Sequence, residues 1–198
     1  MIKLSNITLN FGQNTVFDNL SVDIELGSKC CISGPSGKGK SSVLKIIQGF
    51  LIPQSGDVYV NQLKLSDKTI SSIRELISWV PQNIDLPVES GEELSRLLKM
   101  SRKDEEKILE NIEKVGLDKS FYTRSFKEIS GGQKQRIVLS VCTARQKPIL
   151  MLDEPTSSLD EGSVDLVVEM INSLSDVTVL STSHNENWIR KATKVIKL

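Results

Sequence analysis

Long apolar runs are missing from this chain: the longest unbroken one, Ile149–Leu152, spans four residues. A helix needs roughly 20 predominantly apolar residues to cross a bilayer, so no segment is expected to span a membrane. The opening Met1-Ile2-Lys3-Leu4-Ser5-Asn6 lacks the apolar stretch of a secretory signal, and the chain is expected to stay in the cytosol. Cysteine is scarce. Cys30, Cys31 and Cys142 are too few for a disulfide framework, and no Cys-x-x-Cys spacing offers a metal clip. Unpaired thiols of this kind are expected to be buried packing residues. An excess of either charge is missing too, because 25 Lys and Arg balance 25 Asp and Glu. No overall field therefore draws the chain to nucleic acid or to an anionic surface, and no nucleic-acid partner is expected. Internal repeats, sustained heptads and low-complexity linkers are absent, which argues for one domain and not an array.

What remains is an ordinary globular composition. The 198 residues, 38% hydrophobic and 25% charged, suffice to bury a sizeable core in one domain. Leu4–Phe11 and Leu20–Leu26 alternate apolar and polar residues and read as half-exposed antiparallel strands. Lys29–Ser33 reads as a short apolar strand running into a glycine-rich turn. A helix follows, with Val43, Leu44, Ile46 and Ile47 on one face and Gly49 as its stop. Asp57–Val60 and Ile77–Val80 suggest a further strand pair. From Pro87 to Lys147 the pattern turns helical and charged: Ser101 caps a helix whose stripe is Ile108, Leu109, Ile112 and Val115, and Gly116 ends it. Two β–α units close the chain, with Ile149–Leu152 and Thr178–Ser181 as buried strands. The expectation is one α/β domain over residues 1–198 with a helical subdomain inserted at roughly 85–145.

Gly34-Pro35-Ser36-Gly37-Lys38-Gly39-Lys40-Ser41 fits the phosphate-binding pattern Gly-x4-Gly-Lys-Ser, set between a strand and a helix. Glycines let successive N–H groups turn inward around a phosphate, and the helix N-terminus adds partial positive charge. Lys40 is placed to reach the β and γ phosphates, and Ser41 offers a hard oxygen to Mg2+. Ser42 continues the same turn as a further contact. Ile149–Leu152 delivers Asp153 and Glu154 to the carboxyl end of a buried strand, where ligands sit in parallel sheets. Asp153 suits the same Mg2+, often through water, and Glu154 suits polarising an attacking water. Four apolar residues and two acids are a common run; its weight comes from standing with the phosphate loop.

Ile129-Ser130-Gly131-Gly132-Gln133-Lys134-Gln135-Arg136 resembles the signature sequence of the ATP-binding cassette ATPases, with Ile129 where Leu is more usual. The resemblance runs from Phe11 to His184, in the family's order. It implies a P-loop NTPase core with a mostly parallel sheet and an N-terminal antiparallel β subdomain. It also implies that Ser130, Gly131, Gly132 and Gln133 cap ATP held on a second ATPase subunit, so that two chains share each nucleotide. Phe11 resembles the aromatic that stacks on adenine, although alone it would pass for a core residue. Gln82 matches the glutamine that reaches Mg2+ and the attacking water. Ser157-Ser158-Leu159-Asp160 resembles the loop that touches the partner subunit. His184, the only histidine, matches the switch residue on the γ-phosphate, and Asn185 stands where Asp is frequent.

The implied activity is Mg2+-dependent ATP hydrolysis in a nucleotide-sandwich homodimer, with Lys40, Glu154, Gln82 and His184 as catalytic candidates. The leading expectation is an engine subunit for separate transmembrane permease chains, held peripherally at the inner face of the membrane. Leu86, Val88, Leu94, Leu97 and Leu98 are then candidates for the permease contact or for the core. The alternative is a soluble cassette ATPase driving a cytosolic assembly process such as iron–sulfur cluster biogenesis. A GTPase is disfavoured, because the chain contains no Asn-Lys-x-Asp element.

Overall fold

The computed structural model describes residues 1–198. The chain opens with β1 (Ile2–Phe11) and β2 (Asn14–Ile24), an antiparallel pair running from Ile2↔Ile24 to Phe11↔Asn14 with register shifts between Leu4 and Ile7, Ile7 and Leu9, and Leu9 and Asn10. Ile2 and Leu4 face the core, then Ile7 and Leu9 do, so the alternation slips by one residue between Leu4 and Ile7. Asn6 absorbs the slip at φ 55°, a left-handed conformation that Asn tolerates. Its N–H donates to Ser21 Oγ at 3.0 Å, which pins the bulge to β2. Across the bulge only glycine fits at position 56, where a Cβ would meet the carbonyl oxygens of Ser5 and Asn6 at 2.6 Å.

Next come β3 (Lys29–Ser33), α1 (Lys40–Ile47), β4 (Ser55–Val60), β5 (Leu63–Lys64), α2 (Ile70–Glu75) and β6 (Ile77–Val80). Helices α3 (Gly91–Leu97), α4 (Arg102–Lys114) and α5 (Gly131–Ala144) follow, with a 3-10 turn at Lys119–Tyr122 between the last two. The remainder alternates: β7 (Ile149–Asp153), α6 (Glu161–Asn172), β8 (Thr178–Thr182), α7 (Glu186–Lys191) and β9 (Lys194–Lys197). Two sheets result, an antiparallel one in the order β2-β1-β4-β5 and an all-parallel one in the order β6-β7-β8-β3-β9. No helix is long and apolar enough to cross a membrane.

The parallel sheet is covered on both faces, and successive residues of one strand serve different cores. In β7, Leu150 and Leu152 pack among the helices α3–α6, while Ile149 and Met151 pack against α1 and the antiparallel sheet. In β3, Cys31 joins the first core, whereas Cys30 and Ile32 join the second. This double burial explains why these strands read as unbroken apolar runs. It buries Cys30 and Cys31, while Cys142 is buried on α5; burial pushes all three thiols up to about 11.

One expectation changes. Asp57–Val60 and Ile77–Val80 are not partners: β4 pairs with β1 and β5, and β6 pairs in parallel with β7. Their burial separates them, since β4 alternates at a half-exposed layer and β6 lies in the two-sided sheet. One strand carries no clear signal in the sequence: β9, short and flanked by lysines, closes the parallel sheet as an edge strand beside β3.

The helical layer follows its capping signals. Ser101 Oγ accepts the Asp104 N–H at 3.3 Å and Asp104 Oδ2 accepts the Ser101 N–H at 2.8 Å, a reciprocal box; the Ser101 hydroxyl, donating to Oδ2 at 2.7 Å, and then the Ser101 N–H hold the Asp104 carboxyl below its usual range. Of the five apolar residues suggested as contacts or core, Leu94 is buried and Leu97 is exposed. Leu86, Val88 and Leu98 are partly buried against the helical core.

Candidate functional site

Strand β3 ends at Ser33, and the glycine-rich loop carries the chain into α1. Gly39 caps that helix at φ 85°, without a side-chain cap. The first bond along the helix is from the Val43 N–H to the Gly39 carbonyl, so the N–H groups of Lys40, Ser41 and Ser42 have no acceptor within the chain. Unpaired N–H groups at a helix start form a ready anion site. Only glycine suits position 39, where a Cβ would lie 2.5 Å from Val16 Cγ1 and 2.6 Å from Phe17 Cζ. Lys40 folds back, its ammonium donating to the Gly34 and Pro35 carbonyls at 3.0 and 3.3 Å.

The end of β7 supplies the two acids, and the end of β8 supplies their partners Thr182 and His184. Lys40 Nζ lies 3.5 Å from Glu154 Oε1, with both side chains nearly buried. Asp153 Oδ1 accepts two hydroxyl protons, from Ser41 Oγ at 2.8 Å and from Thr182 Oγ1 at 2.6 Å. Glu154 sits at φ 47°, and its N–H donates to the carbonyl and to the hydroxyl of Thr182 at 3.2 and 2.9 Å. Its Oε2 lies 2.9 Å from His184 Nδ1; the glutamate side chain is 7% exposed and the imidazole 72%. A carboxylate can only accept, so the shared proton belongs on Nδ1. Behind Glu154, Gln135 Nε2 donates to the Pro155 carbonyl at 2.6 Å.

An open cleft gathers Phe11, Ser36, Gly37, Gly39, Lys40, Ser41, Ser42, Gln82 and Glu154, with Val16. Asp153 joins through Ser41, and His184 through Glu154. Gly34 and Pro35 take part through their carbonyls on Lys40, and the Lys38 N–H closes the turn onto the Pro35 carbonyl at 3.4 Å. Phe11 is 52% exposed at the end of β1, so its ring is no core residue. The donor set fits Mg2+ and a triphosphate: three free N–H groups, an ammonium, and hard oxygens on Ser41 and Asp153. Because the Ser41 proton points to Asp153, the serine lone pairs are left for a cation.

Ser130, Gly131, Gly132 and Gln133 line no part of this cleft. Ser130 caps α5, its Oγ accepting the Gln133 N–H at 3.2 Å, and Gln133 Oε1 returns to the Ser130 N–H at 2.9 Å. The glutamine oxygen is thus spent on the cap, while Ser130 and Gly131 stay exposed. Gly132 packs against the loop before α6: a Cβ there would meet the Ser158 carbonyl oxygen at 2.7 Å. The chain therefore carries two outward-facing helix starts that do not face each other within one copy. Thr182 and Gln135 escaped notice in the sequence. The signal for Thr182 was available, since it is the polar residue that ends a buried strand, in register with Asp153.

Residues 17–157 match the family model described as ABC transporter. The chain belongs to the ABC transporter family. This cassette is 34% identical to the thiamine import ATP-binding protein ThiQ of Aliivibrio fischeri, over 93% of this chain and 81% of that protein. It is 32% identical to the energy-coupling factor transporter ATP-binding protein EcfA1 of Mycoplasma mobile, over 100% and 76% respectively. Among solved structures it resembles the dimeric cassette MJ0796, at TM-score 0.87 and 30% identity, covering 100% of this chain and 94% of that one. MJ0796, a protein of Methanocaldococcus jannaschii, is also known in a dimeric post-hydrolysis state bound to ADP and Pi, at TM-score 0.86 and 29% identity, with the same coverage. The chain is an ABC-type ATPase.

Proposed function

We propose that residues 1–198 act as one ATPase domain, its helical subdomain at roughly 85–145, which powers transport by a separately encoded membrane permease. Two copies sandwich two ATP molecules, and the assembly sits at the inner face of the membrane through the permease. One observation carries the reading: the Ser130–Gln133 helix start is exposed and stands apart from the cleft of its own chain. A second copy is the partner that would bring it to a phosphate. The names of ThiQ and EcfA1, both subunits of transport systems, favour transport over a soluble assembly role.

The roles follow from the contacts. The Lys40–Ser42 N–H groups and the Lys40 ammonium bind the phosphates and oppose charge building on the transferring group. Phe11 offers an aromatic face for the adenine ring. Ser41, Asp153 and Gln82 would hold Mg2+, which when bound supplies further charge neutralisation at the phosphates. Glu154 orients water, kept in place by Lys40 and by its hydrogen bond to His184. With Nδ1–H given to Glu154, the ring can donate from Nε2 to the γ-phosphate only when that nitrogen also carries a proton, as the imidazolium. Loss of that phosphate removes what joins the two copies, so the dimer opens.

Glu154→Gln tests this directly. The amide keeps the side chain's size but cannot act as a base, so turnover should fall at least a hundredfold while ATP still binds. Gel filtration with saturating Mg-ATP should then give a stable dimer. A variant that stays monomeric under those conditions sinks the sandwich.

A further inference from the structure

We infer that Thr182 is a positioning residue of this ATPase, its single hydroxyl setting the two acids at the end of β7 relative to each other. The inference rests on the roles proposed above for Asp153 and Glu154. Thr182 is fully buried at the end of β8. A threonine hydroxyl has one proton to give and lone pairs to receive with. The neighbours sort these roles without ambiguity: the Glu154 N–H can only donate, at 2.9 Å, so the hydroxyl proton goes to Asp153 Oδ1, at 2.6 Å.

Two consequences follow. Ser41 and Thr182 both donate to Oδ1, which fixes the carboxylate plane and leaves Oδ2 as the oxygen open to a cation or its water. Glu154 is a non-glycine residue at φ 47°, a conformation that persists only where its surroundings hold it. Thr182 grips the N–H of that residue with both its carbonyl and its hydroxyl. Groups that orient a metal-binding carboxylate typically change metal affinity or activity about 10–100-fold when removed.

The test compares Thr182→Val, which keeps the shape and strand preference but deletes the hydroxyl, with Thr182→Ser, which keeps the hydroxyl. Mn2+ binding to the full chain loaded with a non-hydrolysable ATP analogue is followed by electron paramagnetic resonance. It is read beside ATP turnover, metal-free nucleotide affinity and thermal unfolding. Thr182→Val should bind Mn2+ about tenfold more weakly and turn over about tenfold more slowly, with KM for ATP and metal-free affinity within twofold. Thr182→Ser should restore both. Thr182→Val equal to the parent in Mn2+ affinity and kcat overturns the inference, and so does a variant that simply fails to fold, because that assigns the hydroxyl to stability. Asp153→Asn, run alongside, separates the two readings: if it binds Mn2+ as the parent does, the roles of the site itself are wrong.

Discussion

Gly37 and Gly39 lie two residues apart at φ 82° and φ 85°, yet alanine should be tolerated very differently at each. Placing an L-residue in the left-handed region costs about 1–2 kcal/mol, and both alanine variants incur it. At Gly37 nothing lies within 4 Å of an added Cβ, so the conformational term stands alone. At Gly39 the Cβ would drive into Val16 at 2.5 Å and the Phe17 ring at 2.6 Å, both on β2. Phe17 is a core residue and cannot swing into solvent, so overpacking adds about 1–3 kcal/mol. Gly37→Ala should lower Tm by roughly 2–8 °C and Gly39→Ala by roughly 4–20 °C, at about 2–4 °C per kcal/mol for a domain of this size. Gly39→Ala also displaces the start of α1, so fluorescent-ATP titration should give at least a tenfold weaker Kd. Urea melts with two-state fits and unchanged slopes supply the stabilities. Equal losses for the two variants would refute the reasoning, since they share everything except the contact with β2.

Three further outcomes are expected. Lys40→Ala removes the ammonium that neutralises phosphate charge and leaves Glu154 without its cation; fluorescent-ATP titration should show at least a tenfold weaker Kd. Gly132→Ala pushes a methyl group toward the Ser158 carbonyl, so it should reduce turnover and ATP-driven dimerisation by tenfold or more, with monomer ATP affinity intact on the same titration. The native thiols should resist alkylation at pH 8, where a pKa near 11 leaves roughly one part in a thousand as thiolate. The same shift has a stability sign: the folded state holds these protons more tightly, so the contribution is complete below pH 9 and is lost as pH rises towards 11. Denaturation midpoints measured across that window check it.

Much of the architecture was legible because its signals are local. Two-sided burial writes β3, β7 and β8 as apolar runs, and the Ser101 box announces α4 before any contact is known. Sheet membership was not legible for β4 and β6. Pairing is a matter of which strand lies alongside, and four residues carry no label for that. In the site, the phosphate loop and the two acids sit on contiguous segments and could be read as units. Thr182 carried only a local mark, a polar residue ending a buried strand; its importance lies in meeting Asp153 and Glu154, 29 and 28 positions away in the chain. Phe11 became informative only through its exposure, which no periodicity reports.

The grip of Gln135 on the Pro155 carbonyl has a bearing on how two copies keep time. Helix α5 begins at Ser130, facing outward, and little more than a turn later it is bolted to the backbone just beyond Glu154 of its own chain. In the sandwich proposed above, the element that feels a neighbour's nucleotide is therefore the same stiff rod that braces the local acid. In such a sandwich, occupancy at one nucleotide would bear on the acid at the other through α5, and ATP turnover should then rise more steeply with ATP concentration than a simple hyperbola.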